Sequence, residues 1–254
     1  MPQAGSARRP AAFVTGASYG IGAAIAAGLA EDGYDVAVTD LRRDDLAATV
    51  AAIEKAGGRA LPLALDLREQ RQVEEAFAAA AEGFGGVDLL VNNAGVPLSK
   101  PAVEISRAEW EAVLAVNLTG AFFISQQLGR HLIAAGRPGA IVSLASTHGT
   151  VGFPGAAAYG IAKAGISHMT RVLAIEWAPH NIRVNAIAPG TTETPSRAPI
   201  LADPQRRAVM LERIPLKRFG RPEEMAAAVR YLASPQASYI TGQILLIDGG
   251  LTAY

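Results

Sequence analysis

Short apolar, β-rich runs alternate with Ala-rich amphipathic segments along this chain. Residues 11–15, 36–39, 60–65, 88–91, 140–144, 183–188 and 243–247 read as strands. Residues 21–32, 44–56, 69–84, 108–135, 156–178 and 222–233 show the spacing of helices. The strand runs are nearly continuous in apolar residues rather than alternating, which suits strands buried on both faces. Strictly alternating β and α segments of this kind predict a doubly wound parallel sheet of about seven strands with helices on both faces. Residues 190–219, rich in Pro, Arg and Thr, are the one long irregular stretch. Inside a compact α/β domain, such a length suggests a substrate lid.

No linker, repeat or low-complexity tract divides the sequence, so residues 11–254 read as a single domain, with residues 1–10 as a disordered tail. Composition narrows the partners. Of the 254 residues, 50% are hydrophobic and 18% charged, and 23 Lys and Arg balance 23 Asp and Glu. That balance argues against nucleic acid as a partner, since neutralising phosphates needs a basic surplus. No cysteine is present, which excludes disulfides and thiolate chemistry. The four histidines show no metal-ligand spacing, so no metal is expected. No apolar run in the sequence approaches the roughly 20 residues that span a bilayer. A soluble, cytoplasmic protein without a membrane partner is the expectation.

Between the first strand and first helix lies Thr15-Gly16-Ala17-Ser18-Tyr19-Gly20-Ile21-Gly22. Glycines there permit a tight turn and a close backbone approach to a pyrophosphate, which then meets the positive end of a helix. A purely structural strand-to-helix turn is the competing reading. Asp40 ends the second strand, where an acid accepts hydrogen bonds from an adenosine ribose and repels a 2′-phosphate. A strand-end or capping aspartate is the lesser, competing reading, and neighbouring Arg42 and Arg43 offer a phosphate partner. Asp66, after the third strand, suits either an adenine contact or a helix cap. Asn92-Asn93-Ala94-Gly95 follows the fourth strand, at the edge where ligands bind in such sheets.

Tyr159 and Lys163 stand at i and i+4, on one helix face. A tyrosine has a pKa of about 10, too high for proton exchange near neutrality. A fixed cation beside it favours the phenolate and is expected to lower that value. Ser146 lies thirteen residues before Tyr159 and adds a hydroxyl.

Together these residues resemble the short-chain dehydrogenase/reductase family over nearly the whole chain. T-G-x-x-x-G-x-G stands at Thr15 to Gly22, N-N-A-G at Asn92 to Gly95 and Y-x-x-x-K at Tyr159 to Lys163. Asn117 in Val116-Asn117-Leu118, Arg183-Val184-Asn185, Pro189-Gly190 and Ile247-Asp248-Gly249-Gly250 match further family segments. The chain departs from the pattern at Ala162, where a serine often precedes the lysine, and at Thr192, where an aliphatic residue is common; Gly160, a poor helix former, points to close packing.

The resemblance implies a Rossmann fold and hydride transfer between a secondary alcohol and a nicotinamide cofactor. It assigns Tyr159 as general acid/base, Ser146 as holder of the substrate oxygen and Lys163 as the group that lowers the tyrosine pKa and binds the nicotinamide ribose. Asn117 would position a relay water. The cofactor residues it implies are Gly16, Ser18, Tyr19, Gly20, Ile21, Gly22, Asp40, Asp66, Leu67, Asn93, Ala94, Gly95, Tyr159, Lys163, Pro189, Gly190, Thr192 and Thr194. Asp40 favours NAD over NADP.

For substrate, lid polarity leans toward a sugar, polyol or hydroxy acid over a steroid. His148, Glu193 and Arg197 are candidate contacts, with exposed-loop or solvated roles as the alternative. A reductase of 3-oxoacyl thioesters using NADPH is the rival activity, and an inactive dinucleotide-binding regulator a remote one. The family also implies a homotetramer.

Overall fold

The computed structural model describes residues 8–253. Seven strands form one parallel sheet in the order β3-β2-β1-β4-β5-β6-β7. They are β1 Ala11–Thr15, β2 Asp35–Asp40, β3 Ala60–Ala64, β4 Leu89–Asn92, β5 Gly139–Leu144, β6 Ile182–Pro189 and β7 Ile244–Ile247. The progression of strand order reverses beside β1, whose neighbours are β2 and β4. A crevice opens at the carboxyl ends of the strands at such a switch point.

Alternate residues of a strand point to opposite faces, and β1 shows what that achieves. Ala11 and Phe13 enter one core, with Phe77, Ile124, Leu128 and Ile166. Ala12 and Val14 enter the other, with Ile25, Leu29, Ile53 and Val229. The first core is covered by helices α3 (Gln70–Phe84), α5 (Ala121–Ala135) and α6 (Ala157–Trp177). The second is covered by α1 (Gly20–Glu31), α2 (Ala47–Lys55) and α9 (Pro222–Ala233).

Most expected boundaries shift by one to three residues, and three expectations change more substantially. The helix expected over residues 108–135 is interrupted: α4 (Arg107–Leu114) passes into a π-helical turn, Ala115–Gly120, before α5. Such turns widen the hydrogen-bond ladder and often mark functional positions, and Asn117 sits in this one. The whole stretch Arg107–Ala135 is long and apolar enough to cross a membrane by length and composition. Its Ile124, Leu128 and Leu132 are fully buried against the sheet.

Residues 190–219 are not irregular throughout. They hold a single-turn α7 (Ala198–Leu201) and a nine-residue α8 (Pro204–Glu212), whose N-terminus is capped by the Asp203 carboxylate. The tail assigned to residues 1–10 lies partly outside the described residues. Its last part is tied down. Arg8 makes two hydrogen bonds to the Asp88 carboxylate (2.9 and 2.7 Å), and Arg9 donates to the Gly57 carbonyl (2.8 Å).

Candidate active site

The carboxyl ends of β1, β2, β4, β5 and β6 surround a cavity of about 670 Å³. Its floor is the glycine turn. Gly16 has φ +64°, and a Cβ there would stand 2.8 Å from the Ala94 Cα; one on Gly22 would overlap the Gly16 carbonyl and the Asn93 amide. The turn is held from three sides. Thr49 Oγ1 donates to the Ala17 carbonyl (2.7 Å), and Asn93 Nδ2 donates to the carbonyls of Thr15 (2.9 Å) and Gly16 (2.6 Å). Thr15 Oγ1 in turn accepts from the amides of Asn93 and Ala94. Thus the Asn93 side chain secures the turn, leaving its backbone to face the cavity.

This cradle fits a nicotinamide dinucleotide, since only glycines leave room for backbone to meet a pyrophosphate at the start of α1. Gly16, Tyr19, Gly20, Ile21, Gly22, Asp66, Leu67, Ala94, Gly95, Pro189, Gly190, Thr192 and Thr194 all line the cavity. Ser18 lies behind the wall, and its hydroxyl donates to Asp40 Oδ2 (2.5 Å). The Asp40 carboxylate also accepts from the Leu41 amide (2.8 Å), and it lines the cavity. Arg42 is directed outward, 3.9 Å from Asp45, and Arg43 is exposed in the following turn. Asp66 is held by Arg68, whose Nη2 and Nε reach both carboxylate oxygens and keep the carboxyl below its usual range. Arg68 itself forms part of the wall.

Ser146, Tyr159 and Lys163 converge on the same cavity. Ser146 follows β5, and its Oγ accepts from the His148 amide (3.2 Å). Lys163, buried on α6, donates to the Leu144 carbonyl (2.6 Å), and burial depresses its pKa to about 8. The expected lowering of the Tyr159 pKa by Lys163 is not what this arrangement produces. Burial raises Tyr159, opposed by a hydrogen bond with Ser146 and by the charge of Arg197. Lys163 Nζ stands 5.8 Å from the Tyr159 ring centroid and donates one of its three N–H groups to the Leu144 carbonyl. In the uncomplexed protein, burial therefore outweighs any lowering of the phenol by the lysine charge.

Asn117 does not line the cavity. Its Oδ1 accepts from the Val96 amide (2.7 Å) and its Nδ2 donates to the Val96 carbonyl (2.9 Å). It is close to Lys163 all the same: a Cβ on Gly95 would be 3.3 Å from Asn117 Oδ1 and 3.6 Å from Lys163 Nζ.

His148 is no incidental loop residue. Its ring lies 4.2 Å from that of Phe153 and edge-on to Tyr159 at 5.7 Å, with Nδ1 3.3 Å from Ser146 Oγ. Burial and the charge of Arg197 lower its pKa, favouring the neutral imidazole. Arg197 lines the cavity as well. Glu193 does not: it is exposed and pairs with Arg207 at 3.5 Å. Sequence reasoning missed the apolar wall of Val96, Pro97 and Leu98. Its signal was its position, immediately after Asn-Asn-Ala-Gly.

A family model described as enoyl-(acyl carrier protein) reductase, of the short-chain dehydrogenase/reductase family, matches residues 16–252. The chain belongs to the short-chain dehydrogenase/reductase family. It is 44% identical over 243 residues to 3β-hydroxysteroid dehydrogenase 1 of Eggerthella lenta, covering 95% of this chain and 93% of the relative. A 3-oxoacyl-[acyl-carrier-protein] reductase of Thermotoga maritima is 40% identical, with 94% and 96% covered. The 2-dehydro-3-deoxy-D-gluconate 5-dehydrogenase of Escherichia coli K12 is 37% identical, with 95% of each covered. Among solved structures, a variant actinorhodin polyketide ketoreductase with NADPH superposes at a TM-score of 0.91, 36% identical, covering 97% and 98%. As a short-chain dehydrogenase/reductase, this protein is an oxidoreductase with a nicotinamide dinucleotide as cofactor.

Proposed function

We propose that this protein is an NAD-dependent dehydrogenase of a polar secondary alcohol, of the sugar, polyol or hydroxy-acid class. The observation that carries the reading is the meeting of Tyr159, Ser146 and Lys163 in a cavity whose wall also presents the Asp40 carboxylate. A bound nicotinamide dinucleotide supplies the hydride acceptor. The chain's own residues handle the proton and the oxygen. Tyr159 takes the proton of the substrate hydroxyl at its phenol oxygen. Ser146 Oγ donates to the substrate oxygen and steadies its developing charge. Lys163 keeps a positive charge beneath the tyrosine, and Asn117, through Val96, fixes the wall beside it.

Asp40 supports NAD over NADP. Its carboxylate faces the cavity while Arg42 and Arg43 point away, so no cation of that segment is positioned for a 2′-phosphate. The polarity of Thr191, Thr194, Ser196 and Arg197 on the lid supports a hydroxylated substrate, and the gluconate-type relative is in keeping with it. The hydroxysteroid dehydrogenase shares the reaction class, and its name is the observation that weighs against this polar choice.

The second reading is an NADPH-dependent reductase of 3-oxoacyl thioesters, favoured by the acyl-carrier-protein reductase relative and the NADPH-bound ketoreductase. The deciding experiment supplies NAD and NADP in parallel to sugars, polyols, hydroxy acids and simple secondary alcohols, and NADPH to a 3-oxoacyl thioester. NADH formation on a polar alcohol supports the first reading. Silence there with NADPH oxidation by the thioester replaces it with the second.

Assembly as a homotetramer belongs to the same proposal. Its support is exposed apolar residues on α6, with Ile161 at 52% and Ile175 at 78%, and on edge strand β7, with Leu245 and Leu246. A solution mass near the 26.3 kDa of one chain would contradict it.

A further inference from the structure

Six cations lie in residues 190–219, and five of them have protein partners. Arg206 stands 3.8 Å from Asp203, and Arg207 pairs with Glu193 and lies 4.9 Å over the Phe219 ring. Arg213 lies 5.1 Å over the Phe153 ring, and Lys217 donates to the Glu212 carbonyl (2.7 Å). Arg218 makes two bonds to the Glu224 carboxylate (2.8 and 2.6 Å). Arg197 differs. Among the described residues its guanidinium has no carboxylate, carbonyl or ring partner, yet it is half-buried and faces the cavity.

The cavity wall offers it no anion either. Asp40 is taken by Ser18, Asp66 by Arg68 and Glu109 by Lys100 (2.8 and 2.9 Å). A half-desolvated guanidinium without a partner has lost hydration and gained nothing in return, and its planar fork of donors matches a carboxylate. Arg197 also lines the same cavity as Ser146, His148 and Tyr159. The opposite character is close by: Val96, Pro97 and Leu98 line the cavity with apolar surface.

We propose that Arg197 is the specificity-determining residue of this enzyme, selecting substrates that carry a carboxylate and pairing with it while Tyr159 and Ser146 engage the reacting hydroxyl. The inference rests on the dehydrogenase reading above and narrows its substrate to a hydroxy acid with an apolar body. Arg197 then distinguishes the free acid from a neutral ester, amide or thioester of the same carbon skeleton.

The test is calorimetric titration of the NADH-loaded enzyme with cyclohexanecarboxylate and with its uncharged isostere cyclohexanecarboxamide. The expected result is carboxylate binding roughly tenfold tighter or more, the range of a charge-assisted pair. Arg197→Gln brings the two affinities together, and Arg197→Lys retains part of the preference. Equal affinities in the unaltered enzyme, binding of neither probe, or a preference that survives Arg197→Gln overturns the inference. So does an Arg197→Gln defect confined to NADH affinity, which would make the dinucleotide phosphates the partner of this arginine. The underlying reading is scored separately by NADH formation from uncharged secondary alcohols. Turnover there without carboxylate preference removes the role of Arg197 and leaves the dehydrogenase. Carboxylate preference without turnover on any alcohol removes the dehydrogenase and leaves the anion site.

Discussion

Gly160 faces the His148 carbonyl so closely that a Cβ at this position would stand 2.8 Å from the oxygen. Helix α6 therefore runs directly beneath the loop that carries Ser146 and His148. Alanine at 160 gains about 1 kcal/mol of helix propensity but forces that loop away from the helix. Gly160→Ala is expected to lower kcat by about ten- to a hundredfold through displacement of Ser146. Its thermal midpoint should change little. Steady-state kinetics beside a thermal melt checks this, and an unchanged kcat would show that the loop tolerates the shift.

Lys163 gives the uncomplexed protein a specific dependence on pH. Its folded pKa of about 8 lies below the ordinary 10.5. Between those values the unfolded chain binds more protons than the folded one, so stability rises with pH. The full change amounts to about 3 kcal/mol. Tyr159, raised by burial, works in the opposite direction only above its ordinary value of 10.0. Urea unfolding at pH 7.5 and 9.5 should show a gain that Lys163→Met lacks. Equal gains in both proteins would contradict the assignment to Lys163.

Asp40 governs the choice of dinucleotide in this account. Asp40→Ala removes the negative charge from the cavity wall and frees Ser18. The NADP to NAD ratio of kcat/KM is expected to rise by about tenfold or more, equivalent to about 1.4 kcal/mol. A ratio that stays put would shift the selectivity to another group.

Asp88 is a purely structural anchor at the opposite, N-terminal end of the strands. Its carboxylate receives Arg8, Arg137 and the Ala11 amide (2.8 Å). Asp88→Ala leaves these donors without their acceptor and is expected to cost about 2 kcal/mol. Denaturant melts would register the loss, with KM for the dinucleotide unchanged.

Much of the fold was legible because each strand is a short buried run and each helix a longer amphipathic one. Residues 11–15 and 222–233 match their strand and helix to the residue. The π-turn at Ala115–Gly120 was not legible, since residues 108–135 keep an unbroken apolar pattern and nothing local marks a widened ladder. Nor was the true work of Asn93, whose amide binds the glycine turn across more than 70 residues of sequence. Spacing brought Tyr159 and Lys163 to one helix face. The direction of the lysine, toward Leu144, depended on where β5 ends, which no i,i+4 rule contains. His148 and Glu193 were both polar candidates. Packing against Phe153 set one in the site, and the pairing with Arg207 drew the other out of it.

The most direct test of the central claim, that Tyr159 exchanges the substrate proton, is the rate of NADH formation by the Tyr159→Phe enzyme across alkaline pH. The account predicts a loss of about a thousandfold, with the pH-dependent rise of the unaltered enzyme abolished and the thermal midpoint kept within a few degrees. A phenylalanine variant that turns over within about tenfold of the unaltered enzyme, and still rises with pH, would assign the proton to another group.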